Sequence, residues 1–192
     1  MNILKRIGDT VSADEPVAVR WWQVGLFLLG VSVLGRLAIG SRQQQVAGYD
    51  ADKKPRWAPP RPVFGPVWLV NSAALTYSGY RLLRAPADFP HRQTLLRLQG
   101  LHWLNFTTFG LVYFRLKSPV LGLVWTQTDA LIAMSSLYLV RRGDRRVALG
   151  YVPLTFWTCY ASGVSWYQAL YNPDDFLGTS ALLGDGTAVP SL

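Results

Sequence analysis

The sequence has little of what enzymes most often use for chemistry. Its 192 residues include one cysteine, two histidines and only eleven Asp and Glu against nineteen Lys and Arg. A single thiol excludes an intramolecular disulfide and leaves the redox compartment undetermined; Cys159 lies in an apolar run and reads as a small core residue. There is no phosphate-binding loop, dinucleotide fingerprint, H-E-x-x-H motif or nucleophile elbow. Nothing therefore marks an ATP-driven transporter or a hydrolase, and no catalytic or metal-ligating set can be named. Residues 1–20 mix Lys5, Arg6 and Arg20 with Asp9, Asp14 and Glu15 and contain no small-residue cleavage site. They read as a polar N-terminal segment rather than a cleaved leader. The net charge of +8 is not arranged as a basic stripe with interleaved aromatics, so it does not point to nucleic acid.

What is abundant is uncharged apolar sequence. Runs without a charge cover 21–35, 62–80, 98–114, 118–128 with 130–140, and 147–173. A membrane-crossing helix needs ~20 mostly apolar residues, and each run reaches or approaches that length. The expectation is an all-α integral membrane protein, a five-transmembrane-helix antiparallel bundle with short connections. Its spans fall at about 21–40, 63–83, 98–114, 119–140 and 147–171, and a flexible tail follows at 173–192. Lys and Arg number eleven on one side of this arrangement and seven on the other, which places the N-terminus inside. Trp21 and Trp22 read as interfacial anchors beside membrane lipid.

The most informative stretch runs from Lys53 to Trp68: K-K-P-R-W-A-P-P-R-P-V-F-G-P-V-W. Prolines at 55, 59, 60, 62 and 66 exclude a regular helix, because each lacks a backbone N–H and restricts its predecessor. The result is a stiff loop bearing tryptophans and cations at the mouth of an apolar helix, a suitable binding lip. Along the last span, Trp157 and Ala161 share a face, and Ala161 and Ser165 do so in turn. Trp166, nine residues beyond Trp157, falls on the opposite side at ~100° per residue. Asp129 is the one carboxylate well inside a span, where ionisable groups are costly and have a partner or a task. Arg36 is its expected partner. His102, near a span end beside Trp103, reads as an interfacial residue rather than a haem ligand.

The lip resembles the signature of the translocator protein / tryptophan-rich sensory protein family, the peripheral-type benzodiazepine receptors. Lys54, Pro55, Trp57, Pro59, Pro60, Phe64, Gly65, Pro66, Val67 and Trp68 match its K-P-x-W-x-P-P-x-W-x-F-G-P-V-W pattern, with Tyr49 upstream. Pro153, Trp157, Ala161, Trp166 and Asn172 form a second matching patch, and Asn105, Tyr113, Phe114 and Pro119 a third. Pro62 stands where the family has a second lip tryptophan, Leu154 and Ser165 replace a tyrosine and an asparagine, and Trp125 stands near the usual acidic position. This is the pattern of a divergent bacterial-type member of a cell membrane.

The resemblance implies a tetrapyrrole, or a similar flat apolar ring compound, held within the bundle under the first loop. Trp57, Phe64, Trp68 and Trp157 would supply ring contacts beside Ala161, and Pro59 and Pro60 would shape the lip. Lys54 and Arg56, with Lys53 and Arg61, would meet acidic substituents, arginine bidentately. Asp129 and Asn105 are the intramembrane polar candidates. No cofactor is required; a porphyrin or haem is the candidate bound group. Sterol ranks lower. Leu75, Tyr77 and Arg81 fit the proposed sterol pattern, but no Lys or Arg follows Tyr167 or Tyr171 in the last span. Relatives suggest a homodimer. They also suggest two other roles: light-dependent porphyrin breakdown, and a sensor or scaffold subunit acting through a protein partner.

Overall fold

The computed structural model describes residues 18–40, 49–141 and 143–183. Most of the polar N-terminal segment and the end of the tail lie outside these residues. Five long helices carry the structure: α1, Trp21–Ile39; α2, Phe64–Leu83; α3, Arg92–Gly110; α4, Pro119–Val140; and α5, Arg145–Tyr171. A 3-10 turn, Arg61–Val63, leads into α2, and a π-helical turn, Leu111–Arg115, extends α3. Among the described residues there is no β-strand, only an isolated bridge between Asp174 and Thr179. Two helices, α1 and α4, are long and apolar enough to cross a membrane.

Local chemistry sets the helix ends. Ser118 caps α4 by accepting from Leu121 N at 3.0 Å, and Pro119 fills the first turn, where no intrahelical N–H is needed. Asp144 caps α5 by accepting from Arg146 N at 2.7 Å. That hydrogen bond, with Arg81 on the other oxygen, holds the Asp144 carboxyl below its usual range. At the same C-terminal end of α2 as Arg81, the buried Arg92 donates through Nε to Leu82 O at 3.0 Å and through Nη2 to Leu83 O at 3.1 Å. Leu82 O also accepts from Ala85 N at 3.2 Å, so the arginine adds a second donor there and supplies one to Leu83 O near the helix terminus.

Packing is organised around α5, which lies most extensively against α4 and next against α2, while α3 packs on α1 and α4. Glycines permit the closest crossings. A Cβ on Gly150 of α5 would lie 2.6 Å from Ala74 O and 1.9 Å from Ser78 Oγ, so the α2 backbone occupies that space. Ser78 uses the closeness to donate to Val147 O at 2.9 Å. Gln99 of α3 fills the notch left by Gly79 and donates to Leu75 O at 3.2 Å and Tyr151 Oη at 2.9 Å. One buried amide thus joins α2, α3 and α5. By contrast α1 is peripheral: Val31 is its one buried residue, and Leu26, Leu29, Leu34 and Leu37 point outward.

Three expectations need correction. The third helix begins at Arg92 rather than about 98, because residues 92–97 add almost two turns before the uncharged run. Cys159 is exposed, not in the core; two residues from Trp157, it lies about 200° around α5 and faces outward. The part of the tail at 173–183 folds back. Buried Asp174 accepts from Ser118 Oγ at 2.5 Å, Val120 N at 3.1 Å and Leu177 N at 2.8 Å, docking the segment on the start of α4.

Candidate functional site

The lip is shaped by side-chain hydrogen bonds to its own backbone carbonyls. Tyr49 Oη donates to Pro59 O at 2.7 Å, closing the loop across ten residues. Burial, then the neighbouring Tyr160 and Asp50, push the Tyr49 hydroxyl up to about 12, so it stays a proton donor. Lys54 Nζ donates to the carbonyls of Tyr49 at 2.8 Å and of Asp50 and Asp52 at 3.3 Å, and lies 4.9 Å from the Tyr49 ring centroid. The lysine therefore gathers carbonyls inside the lip.

Two fastenings hold the lip to α5. Asn172 accepts from Lys53 N at 2.7 Å and donates to Lys53 O at 2.8 Å, a two-way grip on the backbone of one residue. Further along, Tyr160 Oη donates to Trp57 O at 2.6 Å, and the Trp57 indole sits over Gly163, where a Cβ would come within 2.9 Å of it. A third connection runs inward. Gln168 Nε2 donates to Tyr113 Oη at 2.6 Å, and Tyr113 donates to the Asp52 carboxylate at 2.7 Å. Burial raises the Asp52 carboxyl above its usual range, against the opposing pull of Tyr113 and Lys54. Tyr113 stands on the π-helical turn, a distortion that often marks functional sites.

Beneath the lip lies a cavity of about 530 Å³ reached by all five helices, within the roughly 300–1,000 Å³ of small-molecule sites. Its wall is largely aromatic. Phe64 meets Trp157 edge-on at 5.6 Å, Trp68 meets Phe106 at 5.0 Å, and Tyr49 meets Phe64 at 5.1 Å. Polar groups are few: Arg36 and Arg61 near the lip, Asn105 and Asp129 deeper, and Thr126, Ser165 and Gln168 on α4 and α5. Asn105 donates to Trp125 O at 3.0 Å, and Trp125 Nε1 to Thr108 Oγ1 at 2.9 Å, which fixes the Trp125 ring in the wall.

Of the residues singled out from sequence, Pro59, Phe64, Trp68, Asn105, Asp129, Trp157 and Ala161 line this cavity together. Lys54, Arg56, Trp57 and Pro60 do not. Lys54 is engaged within the lip, Arg56 and Pro60 are exposed, and Trp57 covers α5 from outside with about half its surface exposed. The cations in the wall are Arg36 and Arg61, the latter 3.1 Å from Asp50. Trp166 is half exposed on the far side of α5, as the helical period requires.

Asp129 does not pair with Arg36. Its Oδ1 lies 2.6 Å from His102 Nδ1, and both side chains are buried. His102 is accordingly an interior residue rather than an interfacial one, packed between Trp103 and Phe106. Its Nδ1 is occupied by Asp129 and it does not line the cavity, whose wall holds no histidine, cysteine or methionine among the described residues. An iron in the cavity would therefore find no imidazole, thiolate or thioether as an axial ligand among the described residues.

The sequence pattern of the TspO/MBR family matches residues 24–170, from the start of α1 to the end of α5. The chain belongs to the TspO/MBR family. No curated protein matches it. TspO/MBR proteins form a membrane family, in keeping with the apolar lengths of α1 and α4. In this TspO/MBR chain the position of the absent lip tryptophan, Pro62, lies in the exposed 3-10 turn. The aromatic wall instead gains residues the motif does not name: Trp103, Phe106 and Phe109 from α3, and Trp125 from α4. The α5 part is readable in Trp157, Ala161 and Ser165, which recur at helical spacing; Gln168 joins them in the structure.

Proposed function

We propose that this TspO/MBR protein binds a tetrapyrrole, or a flat apolar ring compound like it, in the cavity beneath the lip. All five helices would cross the membrane, with the N-terminus inside and the lip on the opposite side. The supporting observation is the coincidence of shape and chemistry in one place. An aromatic-walled cavity of about 530 Å³ has two arginines at its lip end and few polar groups below. Stacked or edge-on ring contacts each contribute about 0.5–1.5 kcal/mol beyond area burial. Arg36 and Arg61 suit the acidic substituents of such a ring, because a guanidinium binds carboxylate in a planar fork. Lys54 and Arg56 do not take that part in this reading.

Titration of the purified protein with protoporphyrin tests it. Binding quenches tryptophan fluorescence saturably, and Trp68→Ala and Trp157→Ala each weaken it roughly tenfold through lost ring contact. Unchanged affinity in both variants would remove the cavity as the binding site.

A further inference from the structure

A second cavity lies at the opposite end of the helices from the lip. It encloses about 470 Å³ between the end of α2, the α2–α3 connection and the start of α5, with Tyr80, Arg81, Arg84, Phe89, Asp144 and Val147 in its wall. The ligand reading above does not use it. Phe89 packs against the backbone at Gly143, so two connections form the rim together. Trp21, at the first turn of α1, stacks on Tyr80 with ring centroids 4.2 Å apart and stays largely exposed. Exposed tryptophans beside tyrosines mark headgroup depth in a membrane, which sets this cavity at the lipid–water boundary.

Its charge is the deciding feature. The Asp144 carboxylate is used up, one oxygen by Arg146 N and the other by Arg81. Arg84 lies over the Tyr80 ring at 5.3 Å, and Arg145 and Arg146 occupy the first turn of α5, which holds no acidic residue. Among the described residues no carboxylate is within ion-pair distance of these three arginines. Two cations at a helix N-terminus oppose its dipole, which is locally unfavourable. An anion held there would reverse that sign. In the cavity it would meet the Arg84 guanidinium, with Arg145 and Arg146 on the exposed first turn of α5 beside the wall and Phe89 and Val147 offering apolar surface.

We propose that this cavity binds the phosphate headgroup of an anionic glycerophospholipid from the adjoining leaflet, with its glycerol and first methylenes against Phe89 and Val147. Native mass spectrometry of the detergent-purified protein, titrated separately with phosphatidylglycerol and phosphatidylcholine, reads the site directly. The expected result is at least about a tenfold preference for phosphatidylglycerol, lost in the Arg84→Gln/Arg145→Gln/Arg146→Gln variant. A control variant, Arg97→Gln/Arg141→Gln, removes exposed charges that lie neither in the cavity wall nor on the first turn of α5 and keeps the preference; circular dichroism establishes that both variants are folded. Equal loss in the control would mean diffuse surface charge and overturn the proposal, as would a wild type with no preference. Competition by inorganic phosphate at concentrations comparable to the lipid would reassign the cavity to a free anion and overturn the lipid.

Discussion

His102 Nδ1 and Asp129 Oδ1 lie 2.6 Å apart in the interior, joining the middle of α3 to the middle of α4. A proton must bridge atoms this close. Removing one partner leaves the other buried and unmatched, which in protein interiors costs roughly 3–5 kcal/mol. His102→Ala is therefore expected to lower thermal stability more than Asp129→Asn, which keeps an oxygen acceptor facing the imidazole. Scanning both variants in the same detergent checks the order. Equal losses would show that the pair acts only through packing.

The Trp57 indole closes over Gly163 without entering the cavity. Its loss should act on the rate of escape more than on ring contact. Trp57→Ala is expected to speed dissociation of protoporphyrin several-fold while leaving the cavity rings in place. Gly163→Leu, which fills the indole's seat, should do the same. Stopped-flow fluorescence measures both, and unchanged dissociation in both would strip the indole of any covering role.

Asp52 gives the lip a dependence on pH. Its carboxyl is raised in the folded protein, chiefly by burial, so the folded state holds the proton more tightly than the unfolded chain. The stability it contributes is fully present below the ordinary carboxylate pKa of about 3.9 and is lost as pH rises through the raised folded value. Asp52→Asn cannot titrate. The melting temperature of the wild type should fall relative to that of Asp52→Asn as pH rises from about 4 towards neutrality. A constant difference would mean that Asp52 titrates alike in both states.

Gly150 tests the α2–α5 crossing. A methyl group there meets Ala74 O, which is backbone and cannot rotate away. Gly150→Ala should destabilise the protein by about 1–3 kcal/mol, the usual cost of overpacking. Chemical denaturation read by circular dichroism checks this. A neutral result would show that the two helices separate freely at this point.

The cavity is partly legible in the sequence. Trp157, Ala161 and Ser165 share a face by helical period, and the same arithmetic turned Trp166 outward. The prolines announced a stiff lip, but not where its cations point. Lys54 turns inward on the carbonyls of Tyr49, Asp50 and Asp52, a choice set by the loop's closure rather than by residue type. His102 was misplaced for a traceable reason. With a helix starting at 98 it stands near an end; with the start at Arg92 it lies about three turns in. Its partner followed from that depth. Trp103 and Phe106 of the wall carry no motif, and only the fold brings them opposite α5.

Asn172 holds residue 53 by its peptide group, not by its side chain. The grip excludes proline at position 53, for want of an N–H. It asks more of position 172. That side chain must offer a hydrogen and an oxygen side by side, as a carboxamide does and a carboxylate does not.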